Sequence, residues 1–491
     1  MKKLMPAWVS LVFAAGLLVA GGLVILPSAV ADDTVSTSSS LELFLDVFSR
    51  TSATYVDSVE SRDLVEAALR GMLESLDPNS VLLNPEDYQN LQIQITGSFE
   101  GAGIAVGVRD EWLTVIAPID GSPAFRAGVK AGDRIVEIDG VSTAGMTSNE
   151  GVMLIRGPMG TSVQLTLVRP GSSDSLRFDI KRDVIEFPSV SAAFMLNDQT
   201  GYIRLSRFSE ETLSEMEDAL ELMESSGASR LILDLRGNAG GLFTSAVDIA
   251  DLFLPAGALV VSTIGHAVGE NRYLTTGSGF YPGELAVLVD GGSASSSEIL
   301  AGALQDHGVG VLIGSRTFGK GSVQTLMDLG DFPNLGHYGV KLTTARYFTP
   351  DGRCIDRTLD DDFMGDVPDS LQDWGILPDI EVVQPDLDGD LAIELLAESM
   401  YFNFANEYVL SHEIGMNFWP DSTVMDEFRL FLESESFEWD PAEFDANLYY
   451  IEKSVFAEIA TRDRDSENYY RMMAPHDEVI QRAVQYFEEG V

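Results

Sequence analysis

A helical repeat of apolar residues follows the N-terminal segment of the chain. Apolar residues recur at three- and four-residue steps over residues 41–55 and 63–76, which predicts two amphipathic helices. The apolar side of the first helix would cover a core or face a second subunit. That side carries Leu41, Leu43, Phe44, Val47 and Phe48.

Residues 97–182 show a different pattern, in which short β-rich runs are separated by glycine turns. Alternating stretches at 113–116 and 163–167 are typical of half-buried strands, and 146–155 is the one longer helical pattern. The spacing predicts a small β-barrel.

Residues 184–383 alternate between strand and helix patterns, which predicts an α/β core with a largely parallel sheet. Two apolar strands run directly into glycine-rich turns, and ligands of such sheets bind at the carboxyl ends of the strands. The predicted strands are 201–204, 231–235 and 285–289, and the predicted helices are 210–225 and 296–307.

An acidic, aromatic-rich and mostly helical tail follows Pro385. It contains no recognisable motif, so the sequence predicts a structural or interface role for it without saying which.

The N-terminus has the pattern of an export segment. Lys2 and Lys3 precede an apolar run over residues 5–26, and an A-x-A-like site ends at Ala31. The run approaches the length that spans a bilayer, so a cleaved signal and a retained inner-membrane anchor are both open. We expect a periplasmic or cell-envelope protein.

The charge balance excludes some partners. The sequence has 31 Lys+Arg against 77 Asp+Glu, a net charge of −46. A polyanion of this size repels phosphate backbones, so nucleic acid is not an expected partner. The single cysteine, Cys354, excludes an internal disulfide framework. No metal-ligand spacing stands out, and we expect no cofactor.

Ser295 is a candidate nucleophile because it lies where an apolar strand turns tightly into a helix. That position exposes a hydroxyl and directs helix N-terminal N–H groups at whatever it attacks. A plainer interpretation is also open, since Ser295 and Glu298 have the S-x-x-E spacing of a helix capping box.

Lys320 is the candidate base, since none of the five histidines lies in a glycine-rich, strand-end setting. Its surroundings are glycine and apolar residues, and burial lowers the pKa of a lysine towards the range that general bases need. Gln324 would hold the amine by a hydrogen bond. A phosphate-loop interpretation of residues 314–320 fails where Gly321 replaces the hydroxyl that binds Mg²⁺.

An acyl-transfer site also needs backbone donors for an oxyanion. The turn that ends in Gly240 and Gly241 allows the chain to approach a carbonyl closely, and the Ser296 N–H follows the candidate nucleophile. The same turn is also what an ordinary strand-to-helix connection requires.

These segments together resemble the C-terminal processing peptidases, or tail-specific proteases. The resemblance covers nearly everything from residue 41 to residue 383, in motifs that occur in the family's order. The motifs are GSFEGAGI (97–104), SPAFRAGVKAGD (122–133), IRGPMGT (155–161), GYIR (201–204), DLR (234–236) with GG (240–241), GSASSSE (292–298) and TFGKGSVQ (317–324).

The resemblance implies a Ser/Lys dyad of Ser295 and Lys320, supported by Gln324, and a PDZ domain that binds substrate C-termini. The PDZ carboxylate loop would be Gly101, Ala102, Gly103 and Ile104, whose N–H groups hold a terminal carboxylate. Arg156 becomes the candidate for a residue that couples the PDZ domain to the active site.

The expected fold is a crotonase-like or ClpP-like α/β protease core with an inserted PDZ domain and a helical C-terminal extension. The expected domains are an export segment (1–31), a helical segment (32–96), a PDZ domain (97–183), a peptidase core (184–385) and a helical region (386–491).

The expected function is an exported serine endopeptidase that acts on proteins with free C-termini, with homo-oligomerisation and membrane anchoring both open. The alternatives are a catalytically silent PDZ adaptor on a peptidase scaffold and a hydrolase of non-protein amides or esters.

Overall fold

The computed structural model describes residues 34–109, 111–170, 174–277, 279, 281–357, 374–383, 389–463 and 465–490. The chain divides after Pro78 into two compact units. The first contains two described helices, α1 (Thr34–Thr54) and α2 (Ser61–Glu74), as the apolar repeat predicts. Leu43 and Phe44 of α1 are exposed.

The predicted export segment lies outside the described residues. Among the helices that the structure describes, none combines the length and the apolar content needed to cross a membrane.

The second unit begins with β1 (Val81–Leu83) and α3 (Pro85–Thr96) and continues into the predicted PDZ region. An antiparallel sheet forms that region, in the order β3-β4-β5-β7-β8, with β6 paired to β5. Its elements are β2 (Ser98–Gly101), β3 (Ile104–Arg109), β4 (Trp112–Pro118), α4 (Pro123–Ala127), β5 (Arg134–Ile138), β6 (Val141–Ser142), α5 (Ser148–Ile155), β7 (Ser162–Val168), β8 (Ser175–Lys181) and β9 (Asp183–Glu186).

The β-rich region joins the rest of the unit through a separate two-stranded sheet in which β2 pairs with β9. Strands β2 and β9 therefore lie at the entrance and the exit of the region, as expected for an inserted domain.

The α/β core holds a six-stranded sheet in the order β10-β11-β12-β15-β16-β19. Only β10 is antiparallel to its neighbour, which confirms the predicted, largely parallel sheet. The core elements are β10 (Val190–Met195), β11 (Thr200–Leu205), α6 (Thr212–Ser225), β12 (Arg230–Asp234), α7 (Phe243–Asp251), β13 (Leu259–Gly265), β14 (Gly269–Leu274), β15 (Glu284–Val289), α8 (Ser296–Asp306), β16 (Gly310–Gly314), β17 (Ser322–Phe332), β18 (Gly336–Phe348) and β19 (Ile380–Glu381).

A second, antiparallel sheet packs the long hairpin of β17 and β18 beside β13, β14 and β1. Strand β1 pairs with β18 through Leu82 and Val340, so the segment before the PDZ region adds a strand to the peptidase core. This hairpin was not among the strands predicted from the sequence.

The C-terminal region is helical, as predicted. Its own core is rich in aromatic residues, including Tyr401, Phe404, Phe428 and Phe456. The helices are α9 (Leu391–Ala397), α10 (Met400–Ser411), α11 (Ser422–Ser434), α12 (Pro441–Ala446), α13 (Leu448–Asp463), α14 (Ser466–Met473) and α15 (Glu478–Glu489).

Alternate side chains of the apolar strands point to opposite faces of the parallel sheet, so both faces need a cover. Leu231 and Leu233 of β12 pack in the cluster with α6, α7 and α8, whereas Ile232 packs in the cluster that contains α15. The last helix of the chain is thus the second layer of the peptidase core.

Candidate active site

Three loops meet at the carboxyl edge of the parallel sheet. They follow β12, β15 and β16, and backbone hydrogen bonds tie them together. The Ala294 N–H donates to the Asn238 carbonyl at 3.0 Å, and the Phe318 N–H donates to the Ser293 carbonyl at 2.9 Å. The glycine-rich turns that the sequence singles out therefore form one site.

Ser295 lies at the strand-to-helix turn, directly before α8. Its backbone has φ 56° and ψ −114°, a conformation that residues other than glycine rarely adopt. A strained turn of this kind is how other serine hydrolases present a nucleophile at the top of a sheet. The candidate nucleophile has that local geometry.

The Glu298 carboxylate joins the loop of Ser295 to the loop of Lys320. It is buried and accepts from the Ser295 N–H at 2.8 Å and the Lys320 N–H at 2.9 Å. It also accepts from the Gly319 N–H at 2.7 Å and the Thr317 hydroxyl at 2.6 Å. Burial raises the pKa of Glu298, and the four donors oppose that rise. The S-x-x-E spacing is therefore a helix cap and also a link between the two candidate catalytic loops.

A second link is made by Tyr347 of β18, whose side chain is buried. Its hydroxyl contacts the carbonyl oxygen of Ser295 at 3.3 Å and also the carbonyl oxygen of Lys320. Glu298 thus binds the backbone N–H groups of the candidate nucleophile and the candidate base, and Tyr347 contacts their backbone carbonyls.

Lys320 is half-buried, and its pKa is lowered mainly by burial and further by the charge of Lys341. Glu298 and Asp356 act in the opposite direction. A lowered pKa increases the fraction of neutral amine, which is the form that accepts a proton.

No hydrogen bond links Lys320 Nζ to Ser295 Oγ in the described structure. The predicted support from Gln324 is likewise not made through a hydrogen bond to the amine. The Gln324 amide donates instead to Ser322 Oγ at 3.0 Å and to Thr343 Oγ1 at 3.4 Å. Catalytic hydrogen bonds are often loose before substrate binds, so the arrangement remains compatible with a dyad.

The three candidate oxyanion residues, Gly240, Gly241 and Ser296, differ in whether their backbone N–H groups already have a hydrogen-bond acceptor. The Gly240 N–H donates to Asn238 Oδ1 at 2.9 Å, so it is already engaged. In the described part of the chain, we find no acceptor for the N–H groups of Gly241 and Ser296. These two N–H groups are therefore unengaged among the described residues, as the prediction of oxyanion donors requires.

Gly240 packs directly against Ser295 and Ser296, where a side chain would not fit. A Cβ atom there would lie 2.8 Å from Ser295 Cβ and 2.9 Å from Ser296 N, and its φ of 93° also favours glycine. The next residue, Gly241, forms a bridge to Phe208 and leaves no room for a side chain, because a Cβ would lie 2.0 Å from the Phe208 carbonyl oxygen. The turn is thus packed against both Ser295 and Phe208, which lies in the loop between β11 and α6.

A buried charge network supports the start of this turn. Asp234 accepts from Arg236 Nε at 3.0 Å and Nη2 at 2.7 Å, and from Arg204 Nη1 at 2.6 Å and the Tyr202 hydroxyl at 2.7 Å. Burial works against the charged form, but the two arginines outweigh it and hold the pKa of Asp234 well below its usual range. Asp234 therefore stays ionised and holds Arg236 beside the turn.

The candidate carboxylate loop lies between β2 and β3. Two of its carbonyls accept hydrogen bonds from residues at the start of α4. The Ala102 carbonyl accepts from the Ala124 N–H at 3.0 Å, and the Gly103 carbonyl accepts from Ser122 Oγ at 2.9 Å. Within the described residues, the N–H groups of Ala102 and Gly103 have no acceptor. Gly101 is buried as the last residue of β2, and Ile104 is the first residue of β3, an edge strand.

Arg156 caps the C-terminal end of α5. Its Nη1 donates to Asn90 Oδ1 at 3.1 Å, its guanidinium lies 5.1 Å from the ring centroid of Phe99, and its pKa is lowered chiefly by burial. The side chain thus links the PDZ region to α3. Its predicted coupling to the active site stays a prediction.

Two residues of the site, Tyr347 and Asn238, were not predicted from the sequence. No local sequence feature marks Tyr347 as a site residue, because its surroundings have an ordinary strand pattern. Asn238 could have been recognised, since it lies within the glycine-rich turn. Its side chain bridges the Leu205 carbonyl at 2.8 Å and the Gly240 N–H.

Comparison with known proteins identifies the family. The model of the family described as peptidase family S41 matches residues 199–382, and a PDZ domain model matches residues 114–169. A carboxy-terminal-processing protease of Bartonella bacilliformis is 37% identical over 380 residues, which cover 76% of this chain and 82% of that protein. The chain belongs to peptidase family S41.

Two further proteins are similar to this chain. The carboxy-terminal processing protease CtpA of Bacillus subtilis is 36% identical over 68% of this chain and 70% of its own length. The solved photosystem II D1 C-terminal processing protease is 30% identical, with a TM-score of 0.39, and the match covers 71% of this chain and 95% of that one. As an S41 member with a PDZ domain, this chain is a serine-type endopeptidase.

Proposed function

We propose that this S41 peptidase is exported, recognises proteins by their C-terminal tails and cleaves them with a Ser295–Lys320 dyad. The observation that carries the dyad assignment is the shared acceptor Glu298, which bonds the backbone N–H groups of both residues. Two separate loops held this closely, one with a strained serine and one with a lysine of lowered pKa, have the composition of a Ser/Lys active site.

The chemistry follows from the groups present. Neutral Lys320 accepts the proton of the Ser295 hydroxyl as Oγ bonds to the scissile carbonyl carbon. The N–H groups of Gly241 and Ser296 stabilise the oxyanion, and Lys320 returns its proton to the leaving amine. Water then hydrolyses the acyl-enzyme, with Lys320 again as the base. Because Nζ and Oγ are not yet hydrogen-bonded, we expect substrate binding to bring them together.

Tail recognition is supported by the loop of Ala102 and Gly103, whose two unpaired N–H groups suit a terminal carboxylate. Beside it, β3 pairs only with β4 among the described strands, so its other edge is open to an added peptide strand. Binding of a terminal carboxylate at the loop, combined with addition of the peptide as a strand beside β3, would select free C-termini.

Export is supported by the basic start and the apolar run of the first 31 residues. We propose a periplasmic or cell-envelope location, where the peptidase is either released or held at the inner membrane. Assembly into a homo-oligomer would use the exposed apolar side of α1.

The test uses purified protein lacking residues 1–31, its Ser295→Ala variant and its Lys320→Ala variant. The substrate is a denatured reporter protein that ends in a small apolar tail, prepared with a free and with an amidated C-terminus. We expect cleavage by the unmodified protein alone, and slower cleavage of the amidated reporter.

A different result would contradict each part of the proposal. Substantial cleavage by Lys320→Ala would remove the dyad assignment, and equal cleavage of both reporters would remove tail recognition. If the unmodified protein and the Ser295→Ala variant both bind the tail and neither cleaves it, the chain acts as a PDZ adaptor.

A further inference from the structure

The last helix of the chain, α15, belongs to the peptidase core. Its apolar side covers the face of the parallel sheet that α6, α7 and α8 leave open, and the residues on both sides of this contact are fully or almost fully buried. They are Ala192, Phe194, Tyr202, Ile232, Ala286, Leu288 and Ile313 of the sheet, with Val479, Ile480, Ala483 and Phe487 of the helix.

Asp477 begins this helix and has two sets of partners. One oxygen, Oδ1, accepts from the N–H groups of Val479 and Ile480 at 3.0 Å each, which caps α15. Both of its oxygens also accept from Arg236 Nη1 at 3.0 Å. Asp477 is only 4% exposed, so this ion pair is shielded from water.

Arg236 links Asp477 to the oxyanion turn. Its Nε and Nη2 bind Asp234, and the residue after it, Gly237, donates its N–H to Asp290 at 2.7 Å. The turn then continues to Gly240, which packs against Ser295. One guanidinium is therefore held between the end of β12 and the start of α15.

The charges of this cluster balance. Asp234 and Asp477 oppose Arg204 and Arg236, and burial disfavours any member left without its counter-charge. The charges of both aspartates raise the pKa of Arg236 against the effect of burial. Removing one carboxylate leaves an excess buried positive charge directly before the turn.

We infer that Asp477 is a positioning residue for catalysis, which holds the oxyanion turn in place through Arg236. The C-terminal helical region is then a required part of the active centre. This inference rests on the proposed function, since it takes the Gly241 N–H as an oxyanion donor.

The experiment compares Asp477→Asn with a matched variant, Asp421→Asn. Asp421 caps α11 by the same hydrogen bonds, accepting from the N–H groups of Thr423 and Val424, but pairs with no arginine in the described part of the chain. Unlike Asp477, Asp421 is exposed. Both variants lose one carboxylate from a helix cap, and only the first loses the link to the turn.

We expect Asp477→Asn to lower kcat by roughly tenfold to a hundredfold, the scale at which small displacements of oxyanion donors act. KM should stay within about twofold, because uniform binding is not affected. Asp421→Asn should leave both constants within about twofold. Asp477→Glu, which restores the charge, should recover part of kcat.

A double-mutant cycle tests whether Asp477 acts through Arg236. In an Arg236→Gln background, Asp477→Asn should lower kcat by little more, because the link is already broken. Hydrogen–deuterium exchange of residues 235–242 gives a readout that does not need turnover, and we expect faster exchange in Asp477→Asn than in Asp421→Asn.

The inference is overturned if folded Asp477→Asn keeps kcat and its exchange pattern, or if its loss of kcat persists in full beside Arg236→Gln. An effect on KM alone also overturns it. Failure of the proposed function is separate, since the unmodified protein would then show no Ser295-dependent cleavage of the reporter.

Discussion

The backbone N–H groups of Ser295 and Lys320 donate to the same atom, Oε2 of Glu298, at 2.8 and 2.9 Å. One carboxylate oxygen thus fixes the separation between the backbones of the candidate nucleophile and the candidate base. For the proposed dyad, the two loops are therefore held together in advance, and we expect substrate binding to bring Nζ and Oγ together.

Replacing Glu298 by Gln should therefore damage both stability and activity. A glutamine offers one oxygen to four donors and adds an N–H₂ group that faces other donors, so buried N–H groups lose their acceptor. We expect a loss of about 3 kcal/mol in the free energy of unfolding, measured in urea, and a fall in kcat.

Glu224→Gln, on the exposed surface of α6, is the control and should change the free energy of unfolding by less than about 0.5 kcal/mol. Full activity in folded Glu298→Gln would show that the shared acceptor does not matter for catalysis.

The pH dependence of kcat/KM should follow the Lys320 amine. Burial and Lys341 lower its pKa from the ordinary lysine value of 10.5, and the protonated amine cannot accept the Ser295 proton. Activity is therefore low below the folded-state pKa and rises with pH through it. A rate profile that is flat from about pH 5 to 9 would contradict a lysine base.

Lys341→Gln makes this prediction specific. The variant removes a like charge, so the pKa of Lys320 rises and the ascending limb of the profile moves to higher pH. Lys181→Gln, an exposed lysine of the PDZ region, should leave the profile in place. An unchanged profile in Lys341→Gln would mean that Lys320 does not control the rate.

Gly240→Ala should impair catalysis by displacing the nucleophile. The new methyl group would lie 2.7 Å from the Ala294 carbonyl oxygen and 2.8 Å from Ser295 Cβ. We expect kcat to fall by about a hundredfold.

Gly237→Ala is the matched variant, since its φ of 63° is also left-handed but its nearest contact would be 3.6 Å away, at Arg204. The Gly237→Ala variant should lose only roughly 1–2 kcal/mol in the free energy of unfolding, from the strain of a left-handed backbone, and thermal unfolding measures this loss. Equal kcat values for the two variants would argue that contact with Ser295 is unimportant.

Gly103→Ala tests the carboxylate loop. Its φ is 77°, and a methyl group would lie 2.3 Å from Ser122 Cβ, so the loop must move. We expect at least about tenfold weaker binding of a tail peptide to the Ser295→Ala protein, measured by calorimetry.

Gly140→Ala has nearly the same φ, 79°, and no neighbour within 4 Å of the new methyl group, so tail binding should be unchanged. If both variants bind the peptide normally, the carboxylate is held elsewhere.

Local pattern determined the elements that carry the site. Because burial on both faces makes a strand apolar throughout, β12 and β15 could be predicted to within one residue of their ends. The start of α8 was equally readable from the serine–glutamate spacing, and the order of motifs identified the family. Gly240 was recognised as special because only glycine permits such close approach.

The tertiary structure decided what those residues touch. Glu298 binds Lys320 across 22 residues, Tyr347 reaches Ser295 across 52 and Asp477 pairs with Arg236 across 241. The apolar strands required a second covering layer, but sequence could not say which helix would supply it. Contacts between distant residues depend on how side chains pack in three dimensions, and no local period or spacing records that packing.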